Sequence, residues 1–209
     1  MDEQAGTGGG SEASGRADEI RRAASRIFFE KGYDSTSIQD IADAVGILKG
    51  SLYYYIDTKE DLLFDVIKST HEEGLRQASE WMSMDGSPRQ RLQAAIAGHV
   101  ASNLQHLEGV GVFFQDFPSL GEERRAEIID DRDFYDRHLR DLIVEGQASG
   151  DFNPELDPKL SVMAILGMMN WVYQWYRPGG DWDPRDVASG LAALAMGGLA
   201  VTDAGEPGD

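Results

Sequence analysis

The sequence predicts an all-α fold: an N-terminal three-helix unit containing a helix-turn-helix, followed by a larger helical domain. Three observations lead there. Apolar residues recur at helical spacing along a chain of 209 residues, and no segment alternates polar and apolar residues for long enough to form a strand. Three dipeptides, Ser87-Pro88, Asp157-Pro158 and Asp183-Pro184, each put a side-chain acceptor at an N-cap and a proline at the first helical position. Between Thr36 and Lys59 the chain reads TSIQDIADAVGILKGSLYYYIDTK, two short helical patterns either side of Gly46, whose missing Cβ permits a sharp turn.

Taken in order, residues 1 to 15 are rich in Gly, Ser and acidic groups and predict a disordered tail, with neither the basic start nor the apolar stretch of a secretory signal. Helix 1 is expected from Ala17 to Lys31, with Ile20, Ala23, Ala24, Ile27 and Phe28 as its core stripe and Gly32 as its stop. The helix-turn-helix pair follows, with Ile38, Ile41, Ala42, Leu52 and Ile56 inward. A connecting helix opens at Thr58 and continues through Leu62, Val66 and Leu75 toward Trp81. A helix from Pro88 carries Leu92, Ile96, Val100 and Leu104; GVGVFFQDFPSL is a short apolar piece; residues 121 to 150 form a long charged helix. Two last helices occupy Asp157 to Tyr176 and Pro184 to Val201. The division expected is a 1–15 tail, a 16–60 helix-turn-helix domain, and a larger helical domain over 61–209.

Composition excludes several classes. With no cysteine there is no disulfide framework, thiol nucleophile or cysteine metal site. No run of about 18 apolar residues exists to span a membrane, so a cytoplasmic protein is expected. The net charge of −18 is adverse to a nucleic-acid partner, but it is unevenly placed. Residues 16 to 60 hold seven basic and eight acidic groups, whereas residues 61 to 209 hold twelve and twenty-six. The acidity thus lies mostly outside the helix-turn-helix, where Arg16, Arg21, Arg22, Lys49 and Lys59 are expected to gather on one side.

The helix-turn-helix leaves Gln39, Lys49, Ser51, Tyr53, Tyr54 and Tyr55 pointing outward, hydrogen-bond donors and flat rings suited to a polar anionic partner. In order and spacing, FFEKGY, TSIQDIA, AVG, KGSLYYY and TKEDLL resemble the N-terminal domain of the TetR family of bacterial transcriptional repressors. The resemblance implies a homodimer on a palindromic operator of double-stranded DNA. It also implies contacts from Thr36 and Ser37 at the start of helix 2, Gln39 at base edges, Lys49, Gly50 and Ser51 at the start of helix 3, Tyr53, Tyr54 and Tyr55 on the backbone or a thymine methyl, and Lys59 as a phosphate clamp. Leu48 departs from the family pattern, standing where a Ser or Thr usually caps helix 3. Tyr55 and Ile56 likewise replace a more common His-Phe pair.

For the larger domain, WVYQWYRPGG together with GILKGSLYYYIDTKEDLL resembles a TetR subgroup that controls fatty-acid or steroid-ring catabolism and answers to acyl-CoA thioesters. The implied effector is a small hydrophobic molecule such as an acyl-CoA. Candidate contacts are Phe113, Phe114, Phe117, Phe134, Tyr135, His138, Met168, Asn170, Trp171, Gln174 and Trp175. A CoA would need cations for its phosphates, with Arg124, Arg125, Arg132, Arg137, Arg140 and Arg177 as candidates. The small residues of SGLAALAMGGLA suit a dimer seam of the last two helices, formed by Met163, Leu166, Gly190, Leu191, Leu194, Gly197 and Gly198. The alternatives are a TetR-type regulator of efflux answering to an unrelated hydrophobic compound and, more distantly, an all-α enzyme or a scaffold without DNA binding. An enzyme has little support: the chain holds no Glu-x-x-His or His-x-x-x-His pair, Walker loop, nucleophile elbow or dinucleotide fingerprint, so no catalytic residue, metal or cofactor is expected.

Overall fold

The computed structural model describes residues 9–201, with no side chains described for 9–13, 130 and 131. Among the described residues every regular element is helical. In chain order these are α1 (Gly9–Lys31), α2 (Ile38–Ala44), α3 (Lys49–Leu52), α4 (Lys59–Met82), α5 (Pro88–Gln105), α6 (Leu107–Asp116), a 3-10 turn (Phe117–Ser119), α7 (Glu122–Ser149), α8 (Pro158–Asn170), α9 (Val172–Trp175) and α10 (Pro184–Gly198). None of them is long and apolar enough to cross a membrane.

All three proline-marked origins are present. Ser87 Oγ accepts from the Gln90 N–H while Gln90 Oε1 accepts from the Ser87 N–H, a reciprocal cap at 3.3 and 3.0 Å. Asp157 accepts from Leu160 N–H at 2.7 Å and Asp183 from Arg185 N–H at 2.8 Å.

Four elements differ from expectation. Helix α1 begins at Gly9 rather than Ala17, so part of the expected tail is helical; the composition of residues 9–15 gives no physical reason for it, and residues 1–8 lie outside the described residues. The apolar piece after Leu107 is a true helix. The expected helix from Asp157 to Tyr176 breaks at Trp171. There the run WVYQWY, rich in β-branched and aromatic residues of modest helix propensity, tightens to an i+3 bond from Gln174 N–H to Trp171 O at 3.1 Å. Helix α10 stops at Gly198, and the Leu199 carbonyl instead accepts from Asn153 N–H at 2.9 Å.

The chain forms two compact units. Unit 1 takes residues up to Thr70 together with Glu108–Ala126, and unit 2 takes His71–Leu107 and the residues from Glu127 onward. Unit 1 therefore holds the first half of α4, as well as α6 and the opening of α7, beyond the residues 16–60 set apart from the sequence. Its core joins Ile20, Ala24 and Phe28 of α1 to Ile41 and Ala42 of α2, Leu52 of α3, and Leu62, Leu63, Val66 and Ile67 of α4. Burial of such aliphatic faces is what holds short helices like α2 and α3, which are too short to be stable alone. Unit 2 packs α5 chiefly against α10, with α7, α8 and α9 closing a core that includes Leu92, Ile96, Ile143, Phe152, Met169 and Met196.

Candidate DNA-reading surface and effector-domain polar cluster

Helix α2 is capped by Ser37. Its Oγ accepts from Asp40 N–H at 3.2 Å and donates to Asp40 Oδ2 at 2.6 Å, and its own N–H donates to the same oxygen at 2.8 Å. The Ser37 hydroxyl bond, then its backbone bond, then the Lys31 ammonium at 3.1 Å hold the Asp40 carboxyl well below the usual carboxylate range. The hydroxyl of Ser37 is thus committed to its own helix.

Two expectations need correction here. Thr36 is neither the cap nor a surface group: it is 2% exposed, and its Oγ1 donates to Gly32 O at 2.8 Å, closing the turn that ends α1. Lys59 is not a free phosphate clamp. Its Nζ donates to Tyr33 O at 2.8 Å and Thr36 O at 2.9 Å and lies 4.1 Å from the centre of the Tyr33 ring, so it staples the loop between α1 and α2 to the start of α4.

Between α2 and α3 the chain turns at Gly46, whose φ of 69° lies in the left-handed region that a side chain disfavours. Ile47 N–H then reaches Ala42 O at 3.0 Å. Helix α3 is only one turn long, and no side chain caps it at Leu48. Buried Leu52 and Ile56 anchor it, and that leaves Lys49, Gly50, Tyr53, Tyr54 and Tyr55 exposed, with Ser51 half-buried. Tyr54, at 88% exposure, contributes nothing to the core. Gln39 is exposed on α2 and donates to Asp43 Oδ1 at 2.6 Å. Of the other cations expected to gather here, Arg16 pairs with Glu19 and Arg21 with Asp18 on their own helix; among the described residues Arg22 and Lys49 make no ion pair.

Unit 1 also fastens the α6–α7 elbow to the start of α4. Arg124 binds Asp61 and lies 3.7 Å from Glu60, while Gly121 N–H donates to Glu60 Oε1 at 3.1 Å. The Arg124 hydrogen bond is the chief cause of the lowered Asp61 carboxyl. Burial raises the carboxyl of Asp116 at the end of α6. Phe113, Phe114 and Phe117 cluster in the same unit, with ring centres 5.1 and 5.5 Å apart.

Unit 2 holds a polar cluster inside its apolar packing. His99 on α5 pairs through Nδ1 with Tyr135 Oη at 3.1 Å and through Nε2 with Asn170 Oδ1 at 2.8 Å, and its ring stacks on Tyr135 at 5.5 Å. Desolvation drives the His99 pKa down against the opposing Asn170 bond, and desolvation likewise raises the Tyr135 phenol. Next to it Asn103 Nδ2 donates to Met169 O at 3.2 Å. His138 is half-buried and also lowered, first by desolvation and then by Arg91. Met168 and Gln174 are half-buried, but Phe134, Trp171 and Trp175 are exposed and do not line an interior of this unit.

The arginines suggested for a CoA are largely engaged. Arg124 takes Asp61, Arg140 takes Asp136, Arg125 reaches Pro118 O at 3.4 Å, and Arg177 donates to the carbonyls of Gln174 and Tyr176. His99 and Asn103 were missed from the sequence; a polar residue at a helix's inward spacing was their only signal. On the outer side of α8 and α10, Met163 and Leu194 are 58% and 67% exposed beside Gly190, Gly197 and Gly198, whereas Leu166 and Leu191 pack partly into the unit's own core.

A three-helix head that buries its aliphatic face and leaves a lysine and three phenols around a one-turn second helix defines a helix-turn-helix DNA-binding regulator. Residues 20–66 match the family described as "Bacterial regulatory proteins, tetR family", and residues 85–199 match "Tetracyclin repressor-like, C-terminal domain". The chain is 28% identical over 190 residues to the HTH-type transcriptional repressor KstR2 of Mycobacterium tuberculosis (strain ATCC 25618 / H37Rv), covering 90% of this chain and 94% of that protein. The solved structure of the ketosteroid transcriptional regulator KstR2 of Mycobacterium tuberculosis is similar with a TM-score of 0.85 at 26% identity, covering 90% and 96%. AibR in complex with isovaleryl coenzyme A and operator DNA is similar with a TM-score of 0.77 at 26% identity, covering 86% and 97%. The chain belongs to the TetR family: it is a TetR-type transcriptional repressor, not an enzyme.

Proposed function

We propose that this repressor acts as a homodimer on a palindromic operator and is released by a hydrophobic effector of the acyl-CoA or steroid-metabolite kind, in the cytoplasm. The observation that carries the DNA-reading part is the exposed face of Lys49, Gly50, Tyr53, Tyr54 and Tyr55 on a scaffold whose own polar groups, at Thr36, Ser37 and Lys59, are already satisfied internally. Gln39 and Ser51 flank that face. On this reading the DNA-binding domain is residues 16–60, and residues 61–209 bind effector and partner.

A second copy is supported by the outer side of α8 and α10. Gly190, Gly197 and Gly198 have open space where a Cβ would stand, and each costs an isolated helix about 1 kcal/mol relative to alanine. Close approach of another backbone, with Met163 and Leu194 covered, offsets that cost. The effector class rests on similarity to KstR2 and to AibR, whose structure holds isovaleryl coenzyme A. The apolar body of such a ligand suits unit 2, whose neutral His99, Tyr135 and Asn170 offer hydrogen bonds without charge. Of the residues first suggested, Tyr135, His138, Met168, Asn170 and Gln174 stay in this proposal.

Release is a population shift. Helices α4 and α7 each contribute residues to both units, so an altered unit 2 reaches the head through continuous helix, and the Arg124–Asp61 pair ties α7 to α4 at the head. The effector must favour the released state by its differential affinity, about 5.5 kcal/mol to move the balance from 1:99 to 99:1. The test is fluorescence anisotropy of a selected operator duplex titrated with short, branched and ring-bearing acyl-CoA thioesters, the matching free acids, and unrelated hydrophobic compounds. Release by thioesters at lower concentration than by their acids supports the reading. Release only by unrelated compounds would instead fit a regulator of efflux. Arg124→Gln is expected to bind operator yet require more effector for half-release; an unchanged effector response would remove Arg124 from the coupling.

A further inference from the structure

The start of helix α3 carries a side chain that neither caps it nor enters the core. Leu48 is at the N-cap position with φ −68° and ψ 143°, makes no side-chain cap bond, and is 79% exposed. Its neighbours are polar or open: Lys49 and Gly50 are exposed, Ser51 is half-buried, and Ile47 on the other side is half-buried. A single exposed leucine on an ordinary surface needs no explanation. This one is at the leading residue of the helix that a helix-turn-helix inserts, where the first side chains meet base edges, and it takes the place of an oxygen that would have satisfied a helix N–H.

We propose that Leu48 is a specificity-determining residue that packs on the C5-methyl of a thymine in the major groove of each operator half-site. This inference rests on the DNA-reading function proposed above. The chemistry follows from the groove itself. Thymine is the one base there that presents a methyl group, so an apolar side chain distinguishes it from cytosine without a hydrogen bond, while Lys49 beside it supplies the charge. Desolvating one methyl against Leu48 is worth about a four-fold change in affinity per half-site, and about fifteen-fold when both half-sites lose it. Because Leu48 is outside the core, the selectivity costs the fold nothing beyond the missing cap.

The experiment selects the operator from a random duplex pool with the full-length chain, then replaces each thymine in turn, in both half-sites, by deoxyuridine, which lacks only the methyl. Wild-type protein is expected to lose affinity about fifteen-fold at one symmetric pair of positions. Leu48→Ala and Leu48→Ser should lose a similar factor on the unmodified operator and become indifferent to deoxyuridine there. Leu48→Ser, which restores a cap oxygen, should melt no lower than wild type, separating reading from folding. Wild-type affinity unchanged by deoxyuridine at every position, or a Leu48→Ala protein that keeps the same methyl sensitivity, overturns the inference while leaving the DNA-reading function intact. A pool in which no sequence is enriched overturns that function, and this inference with it.

Discussion

The two units of this chain handle their polar groups in opposite ways. In unit 1, the caps and turns of the head are bound to near neighbours in sequence, Thr36 to Gly32, Ser37 to Asp40 and Thr58 to Asp61, while Lys59 and Arg124 reach farther, to Tyr33 and Asp61. The side chains left over, Lys49 and Tyr53 to Tyr55, stand in solvent. In unit 2 the notable polar groups are turned inward and joined across long stretches of chain, His99 to Tyr135 and Asn170, and Asn103 to Met169. The outward side of α8 and α10 is instead apolar. A surface built for a charged polymer keeps hydrogen-bond donors free. On the proposed reading, the unit that takes a hydrophobic effector keeps a few uncharged ones inside.

That contrast predicts opposite responses to substitution. The largest effect is in the second unit's core: Ile143→Ala should lower stability by about 2–5 kcal/mol in urea unfolding, because Ile143 is fully buried. Tyr54→Ala should stay within about 0.5 kcal/mol of wild type. Equal losses would break the comparison. Next is Gly146→Ala. Its Cβ would stand 2.1 Å from the buried Phe152 ring, a clash expected to cost about 1–3 kcal/mol. At Gly46, in the head, an added Cβ meets no neighbour and only the positive φ resists it.

A smaller effect is the pH dependence of unit 2. Burial holds His99 below its ordinary value of 6.5, so on acidification the unfolded chain takes up the proton first. Its contribution is complete above that value and is lost as pH falls from there toward the depressed folded value. The slope is at most about 1.4 kcal/mol per pH unit for one group. Thermal melts from pH 7.5 to 5.5 should show a steeper loss for wild type than for His99→Gln, with the remainder assigned to His138, which shifts the same way. The smallest effect lies in the head's electrostatics. With Arg22 and Lys49 as the unpaired cations that meet DNA and Arg16, Arg21 and Lys31 held by acids, the two heads of the proposed dimer should give a slope of log affinity against log salt of about −4. A slope near −8 would mean that the surface ion pairs open on DNA.

The same contrast explains what was legible in the sequence. The head is written in short-range patterns, Ser37 three residues before Asp40 and Gly46 between two aliphatic stripes, and in unit 2 the helix origins are as short-range, a proline after each of three caps. The exposure of Tyr53 to Tyr55 followed from helical spacing around Leu52. Errors in the head came from side chains with more than one possible partner. Thr36 and Lys59 had the right chemistry for a phosphate, yet the carbonyls that hold them lie at the end of α1, up to 26 residues away. In unit 2, partners 36 and 71 residues apart made His99 invisible, since a histidine on a helix declares neither its burial nor its neighbours. Phe134, Trp171 and Trp175 stand among the candidate effector contacts because they lie in aromatic-rich segments, yet all three are exposed.

The central claim is that the exposed lysine and phenols around α3 bind duplex DNA. The most direct test is the affinity of Lys49→Ala and Tyr54→Ala for the selected operator, measured alongside melting curves of the same preparations. Melting temperatures within about 2 °C of wild type, together with operator affinity reduced ten-fold or more, a loss of at least about 1.4 kcal/mol, are the expected result. Full operator affinity in both folded variants would contradict the claim.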